Sequence, residues 1–275
     1  TISFEKHKTL QSIPIAIIKG GDHHNQILFL YPDDVYNNKE KIESNSRLYQ
    51  LVKGNNNTGK HTLIDLPDDS MFYPLPDASG KHRQVYYITG ASGSGKSYMA
   101  RMLCEAYMKM YPNRQVYLIS KLEQDDTLDN TKPRPPQRIN YETFVSDPPH
   151  LEEFEDAMVI FDDYDTISGK LGEAIQLLMD DIAIQGRHYN ITLCALSHYL
   201  TNYKRTRLLL NEATHFVVYP QATSAHALRY LLQTHIGMEK NDIQHLKKLG
   251  RWVLIHKNYP QYILSKNRCH VLHQD

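Results

Sequence analysis

The sequence predicts an α/β protein built around a mostly parallel central β-sheet. Three observations carry this. From about residue 85, strand-like and helix-like patterns alternate, the order that builds a parallel sheet with crossover helices. The strand candidates Val85–Thr89, Val116–Ser120, Met158–Asp162, Leu193–Ser197 and His215–Tyr219 are nearly continuous apolar runs, as strands buried on both faces must be. The first of them enters Gly90-Ala91-Ser92-Gly93-Ser94-Gly95-Lys96-Ser97, and a helical pattern leaves it over Ser97–Tyr107.

Residues 1–80 read as a separate small β-rich region, and 81–275 as the main domain. Ile13–Ile18 and Gln26–Tyr31 are strand-like runs around Gly20-Gly21-Asp22, which predicts a hairpin. A second strand-like pair is expected at Leu48–Val52 and Thr62–Leu66, after a polar Asn- and Lys-rich stretch. Pro67, Pro74 and Pro76 mark an extended connection. In the main domain, Lys132-Pro133-Arg134-Pro135-Pro136-Gln137-Arg138 is expected as a loop, because proline fits neither a central ladder nor a helix interior. A helix is predicted from Leu171 to about Gly186, with Ile175, Leu178, Met179 and Ile182 along one face. Another is predicted over Ala225–Thr234. A C-terminal β-hairpin is expected from Trp252–His256 and Tyr262–Ser265, turning at Asn258-Tyr259-Pro260.

Composition sets outer limits. An apolar fraction of 41% over 275 residues supports a buried core. No apolar run reaches the length needed to cross a bilayer, and no charged-then-apolar leader is visible at the start. Cys104, Cys194 and Cys269 are far apart, which points to a reducing compartment rather than a disulfide framework. The formal net charge is zero, so contact with nucleic acid would have to come from a local patch. The 15 histidines are scattered without the paired spacing of a zinc site.

The segment 90–97 satisfies the pattern G-x-x-x-x-G-K-[ST] in full. Glycines let consecutive backbone N–H groups turn inward onto phosphate oxygens, and the helix N-terminus adds positive potential there. Lys96 can reach the β/γ-phosphates of a nucleotide, and the Ser97 hydroxyl can ligate Mg²⁺. The expected ATP-contacting set is Gly90, Ala91, Ser92, Gly93, Ser94, Gly95, Lys96, Ser97 and Tyr98. A near-repeat, Gly54-Asn55-Asn56-Asn57-Thr58-Gly59-Lys60-His61, lacks the hydroxyl and leads into a strand-like run, so it reads as a hairpin turn.

Met158-Val159-Ile160-Phe161-Asp162-Asp163 is an apolar strand ending in two carboxylates, the second element that a phosphate-loop enzyme requires. Asp162 is expected to hold Mg²⁺, and Asp163 to polarise an attacking water. Ser197 and His198 end the strand Leu193–Ser197 and are candidate γ-phosphate sensors. Arg187, Arg205 and Arg207 are candidates for an arginine supplied to a neighbouring subunit.

This set of residues, with Gly186-Arg187-His188-Tyr189-Asn190-Ile191 and Asn211–Val218, resembles the poxvirus-type genome-packaging ATPases of large double-stranded DNA viruses, within the FtsK/HerA superfamily. The resemblance covers roughly residues 82–270. It implies a RecA-like P-loop NTPase core, a homo-oligomeric ring (pentamer or hexamer), and ATP hydrolysis coupled to pumping double-stranded DNA into a capsid. It also implies contact with capsid vertex proteins, and location at the viral assembly site in the host cytoplasm or in the virion. It assigns Lys96 and Ser97 to Walker A, Asp162 and Asp163 to Walker B, and Ser197-His198 to the sensor, where the translocases often carry Gln. DNA contacts are expected from Lys132, Arg134 and Arg138 or from Lys204, Arg205 and Arg207. A small-molecule kinase and a nucleotide-gated assembly protein remain open alternatives, although a kinase does not need a second carboxylate placed to activate water, and intact Lys96, Asp162 and Asp163 argue against a site without turnover.

Overall fold

The apolar runs from residue 85 onward become strands of one sheet. The computed structural model describes residues 2–4, 6, 12–31, 61–77, 84–202 and 205–272. The near-repeat at 54–61, apart from His61, and the strand-like run Leu48–Val52 lie outside them.

Six strands form the parallel part. They are β6 (Val85–Thr89), β7 (Val116–Ser120), β8 (Gln137–Arg138), β9 (Met158–Asp162), β10 (Thr192–Ser197) and β11 (His215–Val218). Their order across the sheet is β11-β6-β10-β9-β7-β8. One strand, β10, thus stands between the strand that feeds the glycine loop and the strand that ends in Asp162. Its register aligns Ser197 with Thr89 and Ala195 with Phe161. The loops that follow β6, β9 and β10 therefore leave from the same edge, where ligands bind in open α/β sheets. The proline-rich run is a loop except at its end. Gln137–Arg138 pairs with Tyr117–Leu118, because those two residues follow the last proline and have N–H groups to offer.

The C-terminal β-hairpin forms as expected, and its strands also extend this sheet. Strands β12 (Val253–His256), β13 (Gln261–Ser265) and β14 (Arg268–Leu272) add antiparallel beyond β11. Strand β4 (His61–Asp65), from the N-terminal region, closes that edge against β14. Asp65 and Arg268 pair across this junction at 2.7 Å. The remaining N-terminal strands make a four-stranded antiparallel sheet of β1 (Ile2–Ser3), β3 (Ile27–Leu30), β2 (Ile13–Lys19) and β5 (Met71–Pro74), in that order.

The two sheets share a core through α1 (Lys96–Met110). Met99, Met102, Leu103, Cys104 and Tyr107 pack with Ile88, Ile160 and Leu196 of the large sheet and with Ile15, Ile18, Leu28 and Phe72 of the small one. A helix covered on two sides must be apolar around much of its circumference, which accounts for its Met, Ala and Cys content. The opposite face of the large sheet is covered by α2 (Gly169–Gln185), α3 (Arg207–Glu212), α4 (Ala225–Tyr230) and α5 (Lys240–Leu246). A five-residue π-helix, Leu231–His235, continues α4 and completes the helical run expected over 225–234. All three cysteines are buried as free thiols. Among the described residues, no helix is long and apolar enough to cross a membrane.

Candidate nucleotide site

The glycine loop owes its shape to backbone angles that side chains resist. Gly93 and Gly95 lie at φ 74° and 114°, a region open to glycine at little cost. A Cβ on Gly90 would stand 2.7 Å from Ser94 Oγ and 2.8 Å from the Tyr219 ring, so the loop closes tightly on itself and on the residue that follows β11. Gly90 N–H donates to Ser197 O at 3.2 Å, tying the loop to the end of β10. Ser94 Oγ and Tyr219 Oη are buried with no hydrogen-bond partner.

Arg251, just before β12, braces the loop from outside. Its Nε donates to Ser94 O at 3.0 Å and its Nη2 to Gly93 O at 3.0 Å. Holding these two carbonyls outward fixes the turn that directs the N–H groups inward. Sequence reasoning missed Arg251 and Tyr219. Neither belongs to a motif: Tyr219 reaches the loop because β11 lies parallel beside β6, with Val218 opposite Thr89, and Arg251 because β12 folds back antiparallel beside β11.

Lys96 is buried. Its Nζ donates to Gly90 O at 2.9 Å and Ala91 O at 3.3 Å and lies 3.4 Å from His198 Nδ1. Burial lowers its pKa, and Asp163, Asp162 and Asp165 pull it back up. The other ring nitrogen, His198 Nε2, stands 2.7 Å from Asp163 Oδ1. The phosphate-loop lysine, the sensor position and the second acid after β9 therefore form one chain of contacts. Asp163 adopts a left-handed backbone, φ 51°, which Asp tolerates better than most residues and which reverses the chain immediately after the strand.

Asp162 is nearly fully buried at the tip of β9. Ser120 Oγ donates to its Oδ2 at 3.3 Å. Burial first, then the charge of Asp163 and of Asp125, pushes its pKa up to about 6. The donors here suit a hard divalent cation: the Asp162 carboxylate, the Ser97 hydroxyl, and a repulsive acidic pair that a cation would relieve. Mg²⁺ therefore fits the residues present.

Ser197 serves a different partner from His198. Its hydroxyl is fully buried and donates to Asp165 Oδ2 at 3.0 Å, and the same oxygen accepts from His198 N at 2.8 Å. Asp165 is thus the anchor of the β10 terminus. Arg205 Nη1 donates to Asp165 O at 2.8 Å, placing that arginine against the loop after β9. Tyr98 is exposed on α1.

The other named residues lie further off. Arg187 sits in the turn before β10, whose first residue pairs with Met158 at the start of β9. That is the edge of the sheet opposite the glycine loop, roughly 15–20 Å away for strands of five residues. Arg138 pairs with Asp129 at 2.7 Å and with Leu122 O at 2.7 Å. Arg134 donates to Arg114 O at 2.7 Å and Pro112 O at 3.2 Å. Lys132 and Arg207 are exposed, and Lys204 lies outside the described residues.

A parallel sheet with one strand interposed between a glycine-loop strand and an acid-tipped strand defines a P-loop NTPase fold. Within that class, the chain belongs to the family of protein V3 of the Sputnik virophage, an uncharacterized protein. The two are 32% identical over 220 residues, spanning 78% of this chain and 86% of V3. No family profile matches the chain. Among solved structures, the genome packaging NTPase B204 of Sulfolobus turreted icosahedral virus 2, in complex with AMPPCP, is similar over 66% of this chain and 97% of its own, at 13% identity and a TM-score of 0.45. The pCW3 conjugation coupling protein TcpA, with ATPγS, covers 92% and 77% at 14% identity and a TM-score of 0.46. The cytoplasmic domain of the Thermomonospora curvata type VII secretion ATPase EccC covers 76% and 28% at 15% identity and a TM-score of 0.47.

Proposed function

We propose that the chain is an ATP-hydrolysing motor that translocates double-stranded DNA and packages a viral genome into a preformed capsid. One observation carries the hydrolytic part: Lys96, His198 and Asp163 stand in contact between the glycine loop and the acid-tipped strand. A kinase must keep water away from the γ-phosphate, whereas an acid and an imidazole beside the phosphate-loop lysine suit water as the nucleophile. The viral part is supported by the Sputnik virophage relative and by the motif set shared with packaging ATPases.

In this reading the N–H groups of residues 90–97 cradle the phosphates, and Lys96 moves from the loop carbonyls to the β/γ-phosphates. Ser97 and Asp162 hold Mg²⁺, which would neutralise phosphate charge and orient the nucleotide. Arg187 lies at the far edge of its own subunit, so its role requires a neighbour in a homo-oligomeric ring. DNA would be met by exposed basic residues near the ring axis, with Lys132 and Arg207 the leading members of their sets.

The test is phosphate release with and without long duplex DNA. Several-fold stimulation by DNA supports the motor. Transfer of the γ-phosphate to a nucleoside, or turnover indifferent to DNA, contradicts it.

A further inference from the structure

We propose that His198 takes the proton from the attacking water, and that Asp163 is a positioning residue that acts through His198. This rests on the hydrolytic reading above and deepens it.

The tautomer follows from the contacts. A lysine ammonium carries donors and no acceptor. His198 Nδ1, 3.4 Å from Lys96 Nζ, must therefore turn its lone pair toward Lys96. The ring hydrogen is then on Nε2 and donates to Asp163 Oδ1 at 2.7 Å. One nitrogen is fixed by a carboxylate, and the lone pair of the other faces the place where the phosphate-loop lysine works. This is the arrangement that prepares an imidazole to accept a proton.

The surroundings hold the ring there. His198 N–H donates to Asp165 Oδ2, which also accepts from Ser197 Oγ. Arg205 fixes the main chain of Asp165. The left-handed turn at Asp163 brings its carboxylate back toward the end of β10. The imidazole thus stands between Asp163 and Lys96, held by the Asp163 carboxylate at 2.7 Å.

The step balances without further reagents. The water oxygen forms a bond to the γ-phosphorus while the bond from that phosphorus to the β–γ bridging oxygen breaks. The electron pair of the broken bond leaves with ADP. One water proton passes to His198 Nδ1, the Asp163 carboxylate stabilises the resulting imidazolium, and the proton is later released to phosphate or solvent.

Two measurements test this. Nitrogen NMR of histidine-labelled protein, assigned by the signal lost in His198→Gln, should show His198 with its proton on Nε2. A neutral ring protonated on Nδ1 overturns the proposal without reference to turnover. In the second, His198→Gln keeps a hydrogen-bonding side chain but cannot accept the proton. Its kcat should fall at least ~100-fold, within the range general-base catalysis supplies, with Mg·ATP affinity within about threefold of wild type by the constants that relate affinity to free energy. A glutamine variant that retains kcat shows that His198 is only a hydrogen-bonding sensor. Wild-type protein that binds ATP and releases no phosphate removes the hydrolytic reading itself, and this proposal with it.

Discussion

The imidazole of His198 and the carboxylate of Asp163 meet at 2.7 Å, although 34 residues lie between them in the chain. The contact joins the ends of two adjacent parallel strands beside the glycine loop. It ties the acid after β9 to the residue after β10, so the chemistry of either depends on the other. Asp163→Asn should keep Mg·ATP affinity within about threefold and lower turnover at least ~100-fold. Equilibrium binding and single-turnover phosphate release on one preparation check this. Unchanged turnover would remove Asp163 from the mechanism.

The buried acid at the tip of β9 is maintained at a cost in stability. Asp162 is raised from 3.8 to about 6, so the folded chain binds more protons than the unfolded one between those values. Its contribution is therefore most favourable below pH 3.8 and is lost as the pH rises through about 6. At neutral pH the penalty is at most about 3 kcal/mol. Asp162→Asn should raise the thermal midpoint by several degrees at pH 7.5, with a smaller gain at pH 4.5, while abolishing Mg²⁺-dependent nucleotide binding. Calorimetric melts at the two pH values give the sign directly.

His215 makes the opposite prediction. It is fully buried in a row of rings across four strands, stacked on Tyr86 at 4.6 Å and lying 4.8 Å from His256. Thr214 Oγ1 and Tyr262 Oη occupy its two nitrogens at 2.8 and 3.2 Å. Burial first, then His256, holds its pKa well below 6.5. The unfolded chain binds the extra proton, so this contribution is present above pH 6.5 and is lost as the pH falls. His215→Phe should lower stability at pH 7.5, by about 1–3 kcal/mol for the orphaned Tyr262 hydroxyl, and flatten the acid side of the stability curve. Urea melts from pH 5 to 8 measure both effects.

Arg251 offers a test of the loop brace. Arg251→Ala removes the two bonds to Gly93 O and Ser94 O from an exposed position and should leave the fold intact. Loosening the loop should weaken ATP binding roughly tenfold, the equivalent of about 1.4 kcal/mol, with kcat little changed. Affinity equal to that of wild type would show that the glycine loop keeps its shape without the brace.

Much of this site was legible in the sequence because its parts are local. The glycine loop, the apolar strand with its two acids and the polar end of β10 each occupy a few consecutive residues, and the parallel orientation of β6, β9 and β10 follows from strand and helix alternation. What stayed hidden depends on distant pairing. Tyr219 reaches the loop only through the parallel β6–β11 pair, and Arg251 only through the antiparallel β11–β12 pair. Strand β4 joins the far edge of the large sheet by pairing with β14, some two hundred residues away. That long-range pairing is why residues 61–65 did not read as part of the main sheet. The distinct roles of Ser197 and His198 turn on side-chain direction, since consecutive residues of a strand face opposite ways. The task of Asp165, holding the β10 terminus, appears only once the two loops are side by side.

The central claim is that a nucleoside triphosphate lies between residues 90–97 and the acids at 162–163. Titration of Mg·ATP against wild type and Lys96→Ala by calorimetry tests it most directly. The account predicts one site per chain in the wild type and at least a ~100-fold loss of affinity in the variant, about 3 kcal/mol by the relation between affinity and free energy. Equal affinity in a folded Lys96→Ala protein would mean that the nucleotide binds elsewhere.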